Sequence, residues 1–138
     1  MTIPVFTNRT KKPDLFSDIK KDLILSPVSG DITLFKNEDS VKESITNLIL
    51  TDKGERLMRP LLGGGIRELL FENLIPSTIK IIEDRVRSTI ELYEPRAELI
   101  DLIVKSNIDD ASIKVTIKFF VINVDQPVTL DVILERIR

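Results

Sequence analysis

Hydrophobic positions along the chain keep a helical period through its middle and change to strict alternation near its end. Val41, Ile45, Leu48 and Ile49 recur at spacings of three and four, the stripe of an amphipathic helix. Ser40 followed by Glu43 has the spacing of a capping box, so this helix is expected to begin at Ser40 and to stop before Gly54. A longer stripe of Ile79, Ile82, Val86, Ile90 and Tyr93 predicts a helix from Pro76 to about Tyr93. Its opposite side is charged, with Glu83 and Arg87, and Arg87 and Glu91, one turn apart. Between them, Ile66–Phe71 reads as a short helix giving Leu69, Leu70 and Phe71 to the core. Then the period becomes two. Ile113, Val115, Ile117, Phe119 and Val121 alternate with Lys114, Thr116, Lys118 and Phe120, the pattern of a half-buried strand. Ala97–Lys105 reads as the strand before it, joined through a polar turn at Ser106–Asp110. Val128, Leu130, Val132 and Leu134 read as the strand after it, entered at Pro127. The expected fold class is α+β, with helices packed on one face of a C-terminal antiparallel β-meander.

The first 30 residues have no sustained period. They mix Arg9, Lys11 and Lys12 with Pro4, Pro13, Pro27 and Gly30 and with isolated apolar residues such as Phe6, Leu15 and Phe16. They are expected to form an extended N-terminal arm with at most one helical turn near 15–22; a disordered tail is the alternative. Asp31–Phe35 is a short strand candidate, so residues 31–138 are expected to make a single domain.

Composition narrows the chemistry. A chain of 138 residues that is 42% hydrophobic can build one core, and with six Phe, one Tyr and no Trp that core must be mainly aliphatic. A net charge of −2 is not the basic footprint of a nucleic-acid binder. No apolar run reaches the length of a membrane span, and the N-terminus lacks a secretory signal, so no membrane partner is expected. Without Cys or His, disulfides, thiolate chemistry, the common zinc sites and histidine-dependent triads are excluded. A carboxylate hydrolase or an oxygen-ligated Mg²⁺ or Ca²⁺ site stays open. No cofactor is expected.

Three local features are candidates for function. Gly63, Gly64 and Gly65 follow the loop TDKGERLMRPLL and permit a sharp turn or a close chain approach; no phosphate-loop spacing accompanies them. Glu72, beside an apolar Leu-Leu-Phe, invites a general-acid reading, but a glycosidase needs a second carboxylate and the chain lacks an aromatic sugar platform. Ending the short helix, or pairing with the Arg56–Arg59 loop, accounts for Glu72 as well. Third, Glu94-Pro95-Arg96 stands where the long helix meets the first meander strand. Pro95 ends the helix and leaves two opposed charges on a stiff corner. They can pair with each other, with Arg59 or Glu72, or with another protein.

In order, VKESITNLILT, GERLMRP with its downstream glycines, LLFEN, YEPR and a closing meander resemble the baseplate wedge family of contractile phage tails, often labelled "lysozyme-like". The resemblance covers about residues 38–138, and YEPR is its most specific element. It implies a non-enzymatic structural subunit of the virion tail baseplate, assembled in the host cytoplasm in multiple copies. By the same resemblance, Glu94, Pro95 and Arg96 dock on the helical core bundle of the larger wedge proteins, and Arg56, Arg59, Gly63 and Gly64 supply loop contacts. The meander strands carrying Ile113, Val115, Ile117, Val128, Leu130 and Val132 would pair with the first ring of tail sheath protein and so initiate the sheath. A type VI secretion or other contractile injection baseplate subunit is the near alternative. A cell-wall hydrolase, or a nucleic-acid accessory using the basic arm, is the distant one.

Overall fold

A computed structural model describes residues 14–107 and 112–136. The elements are β1 (Ser17–Ile19), β2 (Leu34–Lys36), α1 (Glu38–Leu50), α2 (Ile66–Leu69), α3 (Pro76–Tyr93), β3 (Ala97–Asn107), β4 (Ser112–Val121) and β5 (Val128–Glu135). β3, β4 and β5 form an antiparallel sheet in that order, with the helices against one face. The α+β expectation holds. The residues of the expected 106–110 turn beyond Asn107 lie outside the described residues.

Alternation along β4 decides which face is dry. Ile113, Val115, Ile117, Phe119 and Val121 are buried. Opposite them on β5 stand Leu134, Val132, Leu130 and Val128. On β3, Ala97 and Leu99 face inward, the register shifts between Leu99 and Asp101, and inward positions resume at Leu102 and Val104. This bulge moves the inward set from odd to even numbers. Val41, Ile45 and Ile49 of α1, Ile66 of α2 and Ile82, Val86 and Ile90 of α3 close the core against the sheet. Each buried aliphatic side chain contributes about 1.5–3 kcal/mol relative to exposure.

Several local expectations are corrected. The turn near 15–22 is not helical: β1 pairs antiparallel with β2, and Leu25 bridges Ile32, so residues 17–36 form a hairpin spanning the boundary expected after residue 30. The strand expected at 31–35 is shifted to Leu34–Lys36. Helix α1 starts at Glu38, not Ser40, because Asn37 makes the corner with φ 47°. Asn37 then accepts from the Leu15 N–H at 2.9 Å instead of capping its own helix. Ser40 is buried within the first turn, and Glu43 meets Lys21 at 2.7 Å, so there is no capping box. Phe71 is not core. It lies past the end of α2, 60% exposed, while Ile66 and Leu70 point inward. Residues 1–13, which hold Arg9, Lys11 and Lys12 of the expected arm, lie outside the described residues.

Candidate functional site

The corner at 94–96 is built by a helix that has nowhere to go. Pro76 opens α3 at its first turn, where its missing N–H costs nothing, and Pro95 prevents continuation beyond Tyr93. Glu94 leaves helical geometry at φ −125°, ψ 75°, and its carbonyl accepts from the Ala97 N–H at 3.1 Å. The Arg96 carbonyl accepts from the Ile122 N–H at 3.1 Å, which ties the corner to the end of β4.

This turn brings the two charges onto each other. Arg96 Nε donates to Glu94 Oε1 at 2.6 Å and Nη2 donates to Oε2 at 2.8 Å, a bidentate fork. The Glu94 side chain is 3% exposed and the Arg96 side chain 31%. Burial pushes the Glu94 carboxyl up; hydrogen bonds from Arg96 and Ser44, with the Arg96 charge, outweigh this and hold it below the ordinary carboxylate value. The Arg96 guanidinium also lies 5.3 Å from the centre of the Phe16 ring, with Asp18 adding charge attraction. Of the alternatives left open by spacing, pairing of Glu94 with Arg96 is the one present within the chain. Pro95 and part of Arg96 face solvent.

Neither Ser44 nor Phe16 was legible as a partner of this corner. Ser44 lies on the wet side of a one-dimensional helix pattern, and Phe16 sits in a segment without a period. Only the tertiary fold brings them to residue 94 or 96.

The other expected site residues divide between floor and rim. Gly63 and Gly64 are buried. A Cβ on Gly63 would collide with the Thr51 carbonyl, and one on Gly64 would sit 2.8 Å from Ile66 Cδ1, so both serve close packing. Arg56 and Arg59 are exposed on a loop closed by the Gly54 N–H donating to the Pro60 carbonyl at 2.7 Å. Glu72 is exposed, and among the described residues no ion pair joins it to Arg56 or Arg59. Ile113, Val115 and Ile117 stand on β4, the middle strand, whose two edges are taken by β3 and β5. That corrects their expected pairing role: a further strand can join only at β3 or at β5, which carries Val128, Leu130 and Val132. Among the described residues no cluster of carboxylates could hold a metal ion, and no helix is long and apolar enough to cross a membrane.

Comparison with known proteins agrees with this architecture. The family model for baseplate wedge protein gp25 matches residues 36–126. Baseplate wedge protein gp25 of Enterobacteria phage T4 is 32% identical over 109 residues, covering 79% of this chain and 82% of that protein. Among solved structures, a putative tail lysozyme from Geobacter sulfurreducens superposes with a TM-score of 0.68 at 26% identity, over 83% of this chain and 96% of that one. A chain of the anti-feeding prophage baseplate shares the fold with a TM-score of 0.61 at 24% identity, over 89% of this chain and 87% of that one. A chain of the type VI secretion system baseplate complex does so at 0.53 and 14%, over 70% and 92%. The family model spans α1, the loop after it, the corner and strands β3 and β4, and the chain belongs to the baseplate wedge protein gp25 family.

Proposed function

We propose that this subunit of a contractile tail baseplate works by docking and carries out no catalysis. Its corner Glu94-Pro95-Arg96 seats on the larger wedge proteins, and the free edge of its C-terminal sheet receives the first ring of sheath protein. The observation that carries the reading is the corner itself. A bidentate ion pair with Glu94 buried holds the Arg96 guanidinium in one orientation while about a third of its side chain faces out. A pre-oriented planar cation loses little freedom on binding, which favours recognition of a carboxylate or a row of backbone carbonyls. For the sheath, β5 supports the reading with one edge unpaired among the described residues and alternating Thr129, Asp131 and Ile133 on the solvent face. Main-chain bonds along that edge supply affinity without a pocket.

The relative of known structure called a putative tail lysozyme raises a hydrolase as the second reading. Against it stand the exposure of Glu72 and the ion-paired state of Glu94, the most buried carboxylate of the corner. A general acid needs a raised pKa, and Glu94 is shifted the other way.

Arg96→Glu would place a second carboxylate beside buried Glu94, so the milder Arg96→Lys is the informative variant. Lysine keeps the charge and loses the planar fork. Co-purification with the larger wedge proteins of the same particle should retain the wild type and lose at least tenfold of the folded variant. A folded Arg96→Lys chain that joins normally would sink the docking role of the corner, and turnover of peptidoglycan by the wild type would sink the non-catalytic reading.

A further inference from the structure

Phe71, which the core leaves out, belongs to a small pit at the end of β5. Buried Leu70 lies at its floor, and Arg67, Phe71, Glu135 and Arg136 stand around it, enclosing about 190 Å³. Small-molecule sites begin at about 300 Å³, so this pit suits a side chain and not a metabolite. Register sets its place in the fold. Glu135 pairs with Ser112 at the start of β4, whereas the corner is tied to Ile122, just past the end of β4. The ten residues of β4, about 30 Å of strand, separate the pit from the corner. β4 supplies none of the lining, so the pit lies on the side of β5 away from β4, where no strand pairs among the described residues.

Two guanidinium groups rim the pit, and both keep donors to spare. Arg136 lies over the Phe71 ring, 5.3 Å from its centre. A ring face holds a guanidinium without consuming its N–H groups, and Arg136 makes no ion pair among the described residues. Arg67 Nη1 stands 3.8 Å from Asp52 Oδ2, too far for a hydrogen bond, and the Arg67 side chain is half exposed. Glu135 is the single carboxylate of the lining, so the rim stays positive. The exposed ring of Phe71 thus has a use outside the core: it holds Arg136 beside an apolar floor.

We infer that the pit is a side-chain pocket for a partner strand added along β5: an aliphatic residue of that strand enters over Leu70, and an Asp or Glu two positions along meets Arg67 and Arg136. Residues two apart on a strand share one face about 7 Å from each other, so both can reach the same pit. Charge complementarity selects the acidic residue, because a planar guanidinium with free N–H groups recognises a carboxylate through paired, charge-assisted hydrogen bonds. Strand addition draws affinity from main-chain bonds and specificity from pockets for alternate side chains. The inference rests on the reading of β5 as a receiving edge and adds what the incoming strand must carry.

The test titrates the full chain, labelled for nuclear magnetic resonance, with a synthetic strand-forming peptide blocked at both ends. The peptide carries Leu and, two positions on, Glu; one counterpart has Gln for the Glu and another has Ser for the Leu. The Leu/Glu peptide should shift the backbone N–H signals of β5 and the Arg136 Nε–H signal saturably, and each counterpart should bind at least tenfold more weakly. Arg136→Gln should bind the Leu/Glu peptide no better than the wild type binds the Gln peptide. Phe71→Leu, which keeps an apolar side chain and loses the ring, should weaken it at least threefold. Arg136 and Phe71 are exposed, so both variants should melt as the wild type does. Equal binding of the Glu and Gln peptides, unchanged affinity of Arg136→Gln, no saturable shift, or self-association that excludes the peptide in sedimentation would each overturn the inference. If all three peptides move the β5 signals with equal affinity, the edge still receives a strand and only the pocket is lost. If the Leu/Glu peptide moves the signals of Arg67, Phe71 and Arg136 and leaves those of β5 in place, the side-chain pocket stands and the reading of β5 as the receiving edge fails.

Discussion

Removing the Arg96 guanidinium isolates what the corner contributes to stability. In Arg96→Ala, Glu94 stays where it is, 2% exposed, with Ser44 as its side-chain donor. Breaking a fully buried pair from one side costs about 3–5 kcal/mol. The Arg96 side chain is 31% exposed and water can enter the space it leaves, so screening places the expected loss at the lower end, about 3 kcal/mol. At about 3–4 °C per kcal/mol for a domain of this size, the melting temperature should fall by about 10 °C at neutral pH. The pH dependence is more diagnostic. In the wild type the folded pKa of Glu94 is lowered, so its stabilising contribution is present above the unfolded value of about 4.3 and is lost as pH falls through the folded pKa. Without Arg96, burial, the largest influence on this carboxyl, acts against fewer donors and raises the folded pKa. The variant's stability is then highest below about 4.3 and falls as pH rises. Urea unfolding from pH 4 to pH 7 should show the difference between the two chains growing with pH and at least doubling. Adding Glu94→Gln to Arg96→Ala should restore stability at pH 7, because a neutral amide replaces the stranded charge. A loss under about 1 kcal/mol that is the same at every pH, or a double variant less stable than Arg96→Ala, would refute the assignment of a buried, charge-paired carboxylate.

Gly63→Ala should destabilise by about 2–3 kcal/mol, read as a lower urea midpoint with unchanged slope, since φ +113° and the Thr51 carbonyl both oppose a Cβ. Ile117→Asp places a carboxylate at a fully buried position of the middle strand and should abolish cooperative folding by circular dichroism; a normal melt would contradict the assigned face of β4. Deletion of residues 1–30 removes Phe16 from Arg96 and Lys21 from Glu43, so the remaining domain should unfold cooperatively with about 1–2 kcal/mol less stability. Loss of cooperativity would instead make the hairpin part of the core.

What could be read in the sequence follows the rule that periodic burial leaves a periodic trace. The stripe of α3, the alternation on β4 and β5, and Pro76 and Pro95 as the stops of α3 are all local signals, and all of them hold. The bulge near Ile100 was hidden, because β3 keeps apolar residues on both sides of the shift and reads as one continuous strand. The start of α1 differs from its sequence signal because Ser40 and Glu43 satisfy a capping pattern that Asn37 overrides by taking a positive φ. The hairpin leaves no periodic trace for a different reason. Its ladder spans three residues on each strand, and Ile19, Leu25, Ile32 and Leu34 are exposed, so alternation there does not track burial. At the site, the residues 94–96 and the loop 54–62 were visible in sequence, but the bidentate fork, Ser44 and the Phe16 ring depend on contacts between distant segments.

The hairpin bears on function through its position. The family model begins at residue 36, so β1 and nearly all of β2 lie before its start, yet they reach the corner. Phe16 lies over Arg96, Asp18 attracts it, and Lys21 holds Glu43 on α1. A segment that only tethered the chain would have no reason to place an aromatic ring on the one cation paired to buried Glu94. A ring face held against a guanidinium restricts its swing without taking its hydrogen bonds. The hairpin thus restrains the exposed side of Arg96 as the Glu94 fork restrains the buried side. Phe16→Ala separates that role from packing: it should loosen Arg96, broadening its Nε–H resonance, while Glu94 keeps its lowered pKa. If the variant leaves the Nε–H signal as sharp as in the wild type, the fork alone sets the geometry of the corner and the hairpin adds nothing to it.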